Sequence, residues 1–182
     1  MRIATPSSLL RDWTPEDIPA LARYADDPRV AATLRDGFPS PYTEENARRF
    51  IAMATSPDAP GLFLAIDVDG EASGGIGIHP LSDVYRRTAE IGYWLSPSLW
   101  GRGIATDAVR ALVPVAFATY DIVRLQAGVF SDNPASGRVL EKCGFVREAV
   151  HRHAVTKNGR LLDEVLYVCF RTDAPISDTP EQ

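Results

Sequence analysis

Strand-like and helix-like stretches alternate along this chain, and the alternation predicts an α/β (α+β) fold, one mixed sheet flanked by helices. Three observations carry the prediction. Apolar runs of strand length and stretches of helical spacing follow one another in the order β-α-α-β-β-β-α-β-α-β-β. Two dipeptides, Asp69-Gly70 and Asn158-Gly159, stand between apolar runs where a tight hairpin needs positive φ. The run Leu95-Ser-Pro-Ser-Leu-Trp-Gly-Arg-Gly-Ile-Ala-Thr106 joins a strand pattern to a helix through a turn with two glycines and an arginine.

Residues 8–13 read as the first strand. Thr14-Pro-Glu-Asp17 opens a helix with threonine as cap and proline in the first turn, running to about Ala25. Residues 27–34 read as a further short helical piece, after which Gly37, Pro39 and Pro41 impose a loop. Thr43 starts the next helix, whose Ala47, Phe50, Ile51 and Ala54 share one face. The strands 62–68 and 72–79 form the first hairpin, and 88–95 is the next strand. Beyond the glycine turn, Ala105, Ala108, Val109, Leu112, Ala116 and Tyr120 keep helical spacing. Pro114 inside that helix should cost about 3 kcal/mol or more and kink it near 110–114. A strand over 124–130, a helix over 134–142 and a final hairpin of 146–156 with 162–170 complete the pattern.

The 182 residues, 45% of them hydrophobic, suffice for one domain with a full core. That domain is expected over 1–172, followed by a polar tail, 173–182, whose two prolines and three acids predict disorder. A net charge of -5 argues against general nucleic-acid binding, which needs a basic face. Cys143 and Cys169 fall in a helix end and an apolar strand, the places of buried thiols. No signal peptide is recognisable and no apolar run reaches the about 18–20 residues of a membrane helix, so a cytoplasmic protein with no membrane partner is expected.

The glycine turn is an anion site by its chemistry. The first N–H groups of a helix lack partners, its dipole is positive there, and Gly101 and Gly103 admit a ligand close to the main chain. Arg102 adds a charge. A Walker loop is excluded because no lysine stands in Ile104-Ala105-Thr106, and the dinucleotide fingerprint fails because Thr106 occupies the place of its third glycine. Asp121 lies about twenty residues on, as a ribose-binding acid would, but at a helix end.

A second motif, Asn133-x-x-Ser136-x-x-Val-Leu-Glu-Lys-x-Gly-Phe145, follows the next strand. Together with Tyr93-Trp-Leu-Ser-Pro-Ser-Leu-Trp-Gly-Arg-Gly-Ile-Ala-Thr-Asp-Ala108 it resembles the GNAT acetyltransferase superfamily, most closely the RimJ/RimL-like branch of ribosomal-protein N-terminal acetyltransferases. The resemblance extends more weakly over 9–171. Trp100 stands where the superfamily loop usually begins with Gln or Arg, a departure common in this branch. The resemblance implies a GNAT-type mixed, mostly antiparallel central sheet, acetyl-CoA as co-substrate, no metal, and direct transfer to a primary amine. The acceptor would be a protein or peptide α-amino group or a small-molecule amine, and the protein a monomer or homodimer.

By the same resemblance, the backbone of Gly101, Arg102, Gly103, Ile104, Ala105 and Thr106, with Trp100, holds the pyrophosphate. Backbone groups of Trp94 and Leu95 pair with the pantetheine amides, and Asn133 and Ser136 contact the pantetheine and thiol end. Asn133 also suits an Asx turn capping the helix at Pro134. The tyrosine that many members use as acid is Leu140 here, which leaves Ser136 to protonate or hydrogen-bond the thiolate. An acid used by some relatives falls at Gly128 and is missing. Glu90 is then the candidate base, or else the ion-pair partner of Arg86 or Arg87.

His151 and His153, two apart, would share one side of a regular strand but lack a third metal ligand. Asp163 matches a branch aspartate that would touch acceptor or hairpin. A non-catalytic acyl-CoA-binding module, or a relative using another acyl donor, is the alternative function.

Overall fold

The computed structural model describes residues 1–172, so the tail expected at 173–182 lies outside the described residues. The strands are β1 (Arg2–Ala4), β2 (Leu9–Asp12), β3 (Leu62–Val68), β4 (Glu71–Pro80), β5 (Thr88–Leu95), β6 (Arg124–Phe130), β7 (Val146–Lys157) and β8 (Arg160–Phe170). The helices are α1 (Ile18–Ala25), α2 (Pro28–Ala31), α3 (Glu44–Ala54), α4 (Ile104–Thr119) and α5 (Pro134–Lys142). One open sheet runs β1-β2-β3-β4-β5-β6-β8-β7. Every neighbouring pair is antiparallel except β5 and β6.

Local chemistry explains most elements. Asp69 and Gly70 adopt φ of 55° and 88°, and Asn158 and Gly159 adopt 51° and 73°, the left-handed pairs of two-residue hairpins. Thr43 and Asn46 cap α3 reciprocally, Asn46 N–H donating to Thr43 Oγ1 and Thr43 N–H to Asn46 Oδ1. Asp27 caps α2 through the Arg29 N–H.

The expected helix from Thr14 is split. Pro15–Asp17 form a 3₁₀ turn and α1 begins only at Ile18. The strand β1 had no signal, because three residues cannot show a period. The helix α4 continues unbroken through Pro114, held by Leu112, Ala116 and Val109 in the core.

Alternation along the strands sorts side chains onto two faces. Ile76, Ile78, Ala89, Ile91, Leu125, Ala127 and Val129 pack with α4 and α5 in the larger apolar cluster. Trp13, Phe63 and Ala65 pack with α1 and α3 on the other face, with Trp94 against them.

The two parallel strands pair only at Thr88 with Arg124, Ala89 with Leu125 and Glu90 with Gln126. Beyond Glu90, β5 and β6 part, and both continue with their facing edges unpaired by each other.

Candidate active site

The parting of β5 and β6 opens into a cavity of about 1160 Å³. Its wall includes Glu90, Trp94, Leu95, Trp100, Gly101, Gly103, Ile104, Ala105, Thr106, Asn133 and Ser136, which is every site residue expected from the sequence except Arg102. Arg102 is exposed on the turn and has no ion pair among the described residues.

After Leu95 a 3₁₀ turn, Pro97–Leu99, brings the chain round to Trp100. The Trp100 indole N–H donates to the Leu95 carbonyl at 2.8 Å, fixing the turn to the end of β5. That bond occupies one of the backbone groups expected to meet a pantetheine arm. Gly101 and Gly103 have φ of 76° and 81°, and a Cβ on either would meet nothing within 4 Å. Glycine is required there by conformation, and the space above both is open. Gly103 is the N-cap of α4, so the free N–H groups of the first turn face that space.

Across the cavity, Asn133 accepts a hydrogen bond from the Ser136 N–H at 3.3 Å, the Asx cap of α5. Ser136 Oγ lies 2.8 Å from the Tyr93 hydroxyl, which also donates to the Ser136 carbonyl at 3.1 Å. Burial pushes the Tyr93 phenol far above its usual range, against the opposing effect of the Ser136 bond, so it is a neutral donor. Tyr93 stood in the sequence motif without an assigned role. Its contact with Ser136 depends on a pairing of β5 with α5 that no local pattern shows. Leu140 is fully buried in the larger apolar cluster and does not line the cavity.

Glu90 does not pair with Arg86 or Arg87. Both its oxygens are held by Arg35, at 3.0 and 3.1 Å, while Arg87 pairs with Asp121. Arg35 comes from the loop after α2, 55 residues away, and nothing near it in sequence announces the contact. A second tie, Lys157 Nζ to Asp36 Oδ1 at 2.6 Å, holds the same loop to the β7–β8 turn. His79, paired in register with Glu90, opens onto the cavity beside Phe63, whose ring centroid is 5.0 Å away.

The two histidines of β7 do not follow regular alternation. Residues 152–154 bulge opposite Asp163, His153 takes φ of 53°, and its N–H donates to Asp163 Oδ1 at 2.8 Å. Asp163 therefore serves the hairpin. His151 Nδ1 instead lies 3.2 Å from Glu164.

Residues 8–146 match the family model described as "Acetyltransferase (GNAT) domain". The chain is 40% identical over 97 residues to the uncharacterised N-acetyltransferase YoaA of Bacillus subtilis (53% of this chain, 54% of YoaA), so the match spans about half of that relative. It is 31% identical over 150 residues to the putative ribosomal N-acetyltransferase YdaF of the same organism (82% of this chain, 76% of YdaF). The fold superposes on Mycobacterium smegmatis RimJ in complex with CoA-disulfide with a TM-score of 0.82 at 24% identity, covering 96% of this chain and 88% of that one. The strand-turn-helix loop, the parted parallel strands and these likenesses lead to one assignment: the chain belongs to the GNAT acetyltransferase family, in its RimJ/RimL-like branch.

Proposed function

We propose that this N-acetyltransferase moves an acetyl group from acetyl-CoA directly onto a primary amine, either a protein N-terminal α-amino group or a small amine. The single observation that carries the reading is the gap between β5 and β6, which begins at Glu90 and opens beside the free helix start at Gly103. A pyrophosphate on the N–H groups of 101–106 would lead the pantetheine arm into that gap, along the unpaired edge near Trp94 and Leu95. Its thioester end would then lie near Ser136 and Tyr93.

The amine nitrogen attacks the thioester carbonyl carbon, the C–S bond breaks with its electron pair on sulfur, and the thiolate takes a proton. The Tyr93–Ser136 hydroxyl pair would hydrogen-bond or protonate that sulfur. Glu90 stands at the same gap with Arg35 bonded to both its oxygens, a contact that supports a role for the pair in shaping the acceptor side over one as base.

The test is thiol release from acetyl-CoA with a set of amines and N-terminal peptides, beside calorimetric titration of acetyl-CoA. Turnover with at least one amine and saturable acetyl-CoA binding are expected. Binding without turnover on any amine would favour an acyl-CoA-binding module instead.

A further inference from the structure

On the sheet face turned away from α4, alternation places Gly75, Gly77 and His79 of β4, Glu90 and Gly92 of β5, Gly128 of β6 and Glu164 of β8. Gly75 lies under the Trp94 and Trp13 rings and Gly77 beside Phe63, whereas Gly92, next to the gap, is uncovered. A Cβ built on Gly92 meets nothing nearer than His79 Nε2 at 4.0 Å. Gly128 is different, because the only neighbour a Cβ there would strike is Glu164, 2.8 Å from Cδ and closer still to Oε1. The Glu164 carboxylate thus fills the room that a side chain at 128 would take, in the cavity wall beside the gap.

The charges on this face do not cancel. Arg35 engages both oxygens of Glu90, whereas Glu164 has one partner among the described residues, His151, and that contact is an ion pair only when the imidazole is protonated. Burial around His79 lowers its pKa, against the pull of Glu90, and favours the neutral ring. Among fixed cations, Arg35 is bonded to Glu90 and reaches Glu164 only through space, so two carboxylates share one guanidinium on this face.

We propose that Glu164 is the acceptor-binding carboxylate: it holds the incoming ammonium over Gly128 at the gap and takes its proton. The proposal rests on the acetyl-transfer reading above. The proton passes from the ammonium nitrogen to a Glu164 oxygen. The freed lone pair forms the C–N bond as the C–S pair leaves with sulfur, the second proton of the nitrogen passes through the Tyr93–Ser136 hydroxyl pair to the thiolate, and Glu164 returns the first to solvent. A cationic acceptor supplies the charge for which Glu164 lacks a fixed partner.

Thiol release with spermidine and with a tetrapeptide bearing a free serine N-terminus provides the test. In Glu164→Gln, which keeps the shape and removes the charge, kcat/KM for the amine should fall by about 100-fold or more while acetyl-CoA affinity stays within about twofold. A second pair controls for structure. Glu164→Ala should be equally impaired, and adding Gly128→Glu, whose side chain then has the vacated room, should restore about tenfold.

Retention of kcat/KM within about twofold in Glu164→Gln, or no restoration in the double variant when it binds acetyl-CoA normally, would overturn the proposal. If neither probe turns over, calorimetric binding of the two amines to the CoA-loaded protein is compared. Weaker binding to Glu164→Gln supports the assignment, and equal binding, or none to either protein, rejects it. Wild-type turnover with an unaffected Glu164→Gln would leave the acetyltransferase reading standing and remove only this residue from it.

Discussion

At the scale of single residues, the most consequential contact is the 2.8 Å pair of hydroxyls on Tyr93 and Ser136. Charge develops on sulfur only as the C–S bond breaks, so a group serving it is felt in turnover more than in ground-state binding. Ser136→Ala should therefore lower kcat by about tenfold or more, with acetyl-CoA affinity reduced by no more than the ~1 kcal/mol of one hydrogen bond. Steady-state kinetics with both substrates varied, beside direct titration, separates the two quantities. Equal losses in both would make Ser136 a tether for the arm. What the sequence showed of this site was uneven for a physical reason. The turn at 101–103 is marked by the local chemistry of a helix start, while Trp100, Asn133 and Ser136 stand out by resemblance to a motif; all but Arg102 of this set line the cavity. Arg35, Tyr93 and Glu164 are tertiary neighbours: Gly128 taken alone reads as a missing acid, and only the register of β6 against β8 shows that Glu164 fills its place.

At the scale of elements, the turn before α4 concentrates the functional geometry. Gly103 combines a φ of 81° with open space above its Cα, so a β-branched side chain is strained and would occupy the space proposed for the pyrophosphate. Gly103→Val should weaken acetyl-CoA binding by tenfold or more, about 1.4 kcal/mol, as read by calorimetry on protein whose circular dichroism is unchanged. Unaltered affinity would move the pyrophosphate elsewhere. Hairpins, strands and helices were readable wherever a turn dipeptide or a sustained period marked them, as at Asp69-Gly70, Asn158-Gly159 and α3. The reading failed where the period was broken or too short. The bulge at 152–154 upsets the alternation of His151 and His153, and the three-residue β1 exists only because β2 offers it an edge.

At the scale of the whole molecule, Arg11 ties the outer strands to the first helical turn. It donates to Asp17 at 2.7 and 2.8 Å and to Asp67 at 2.6 Å, with only 14% of its side chain exposed. Arg11→Ala strands two carboxylates in this buried site and should cost about 3–5 kcal/mol, seen as a lower urea midpoint at pH 7. Burial works against the charge on Asp17, but Arg11 and the Thr14 N–H outweigh it and hold the carboxyl below its ordinary value. A depressed carboxyl stabilises the fold above its unfolded pKa of about 4 and loses that contribution as pH falls through the folded value. Wild-type stability should accordingly drop on acidification below about pH 4, and Arg11→Ala should show a shallower drop over the same window. The two sides of the parted sheet are also assembled differently. The glycine turn proposed to hold the pyrophosphate belongs to one unbroken run, β5 through the first turn of α4, whereas the opposite wall gathers Arg35, His79, Gly128 and Glu164 from four distant segments. On the proposed reading, delivery is inherited as a block while the choice of recipient is distributed, so substitution in any one of those segments is expected to redirect the enzyme to another amine with acetyl-CoA affinity unchanged.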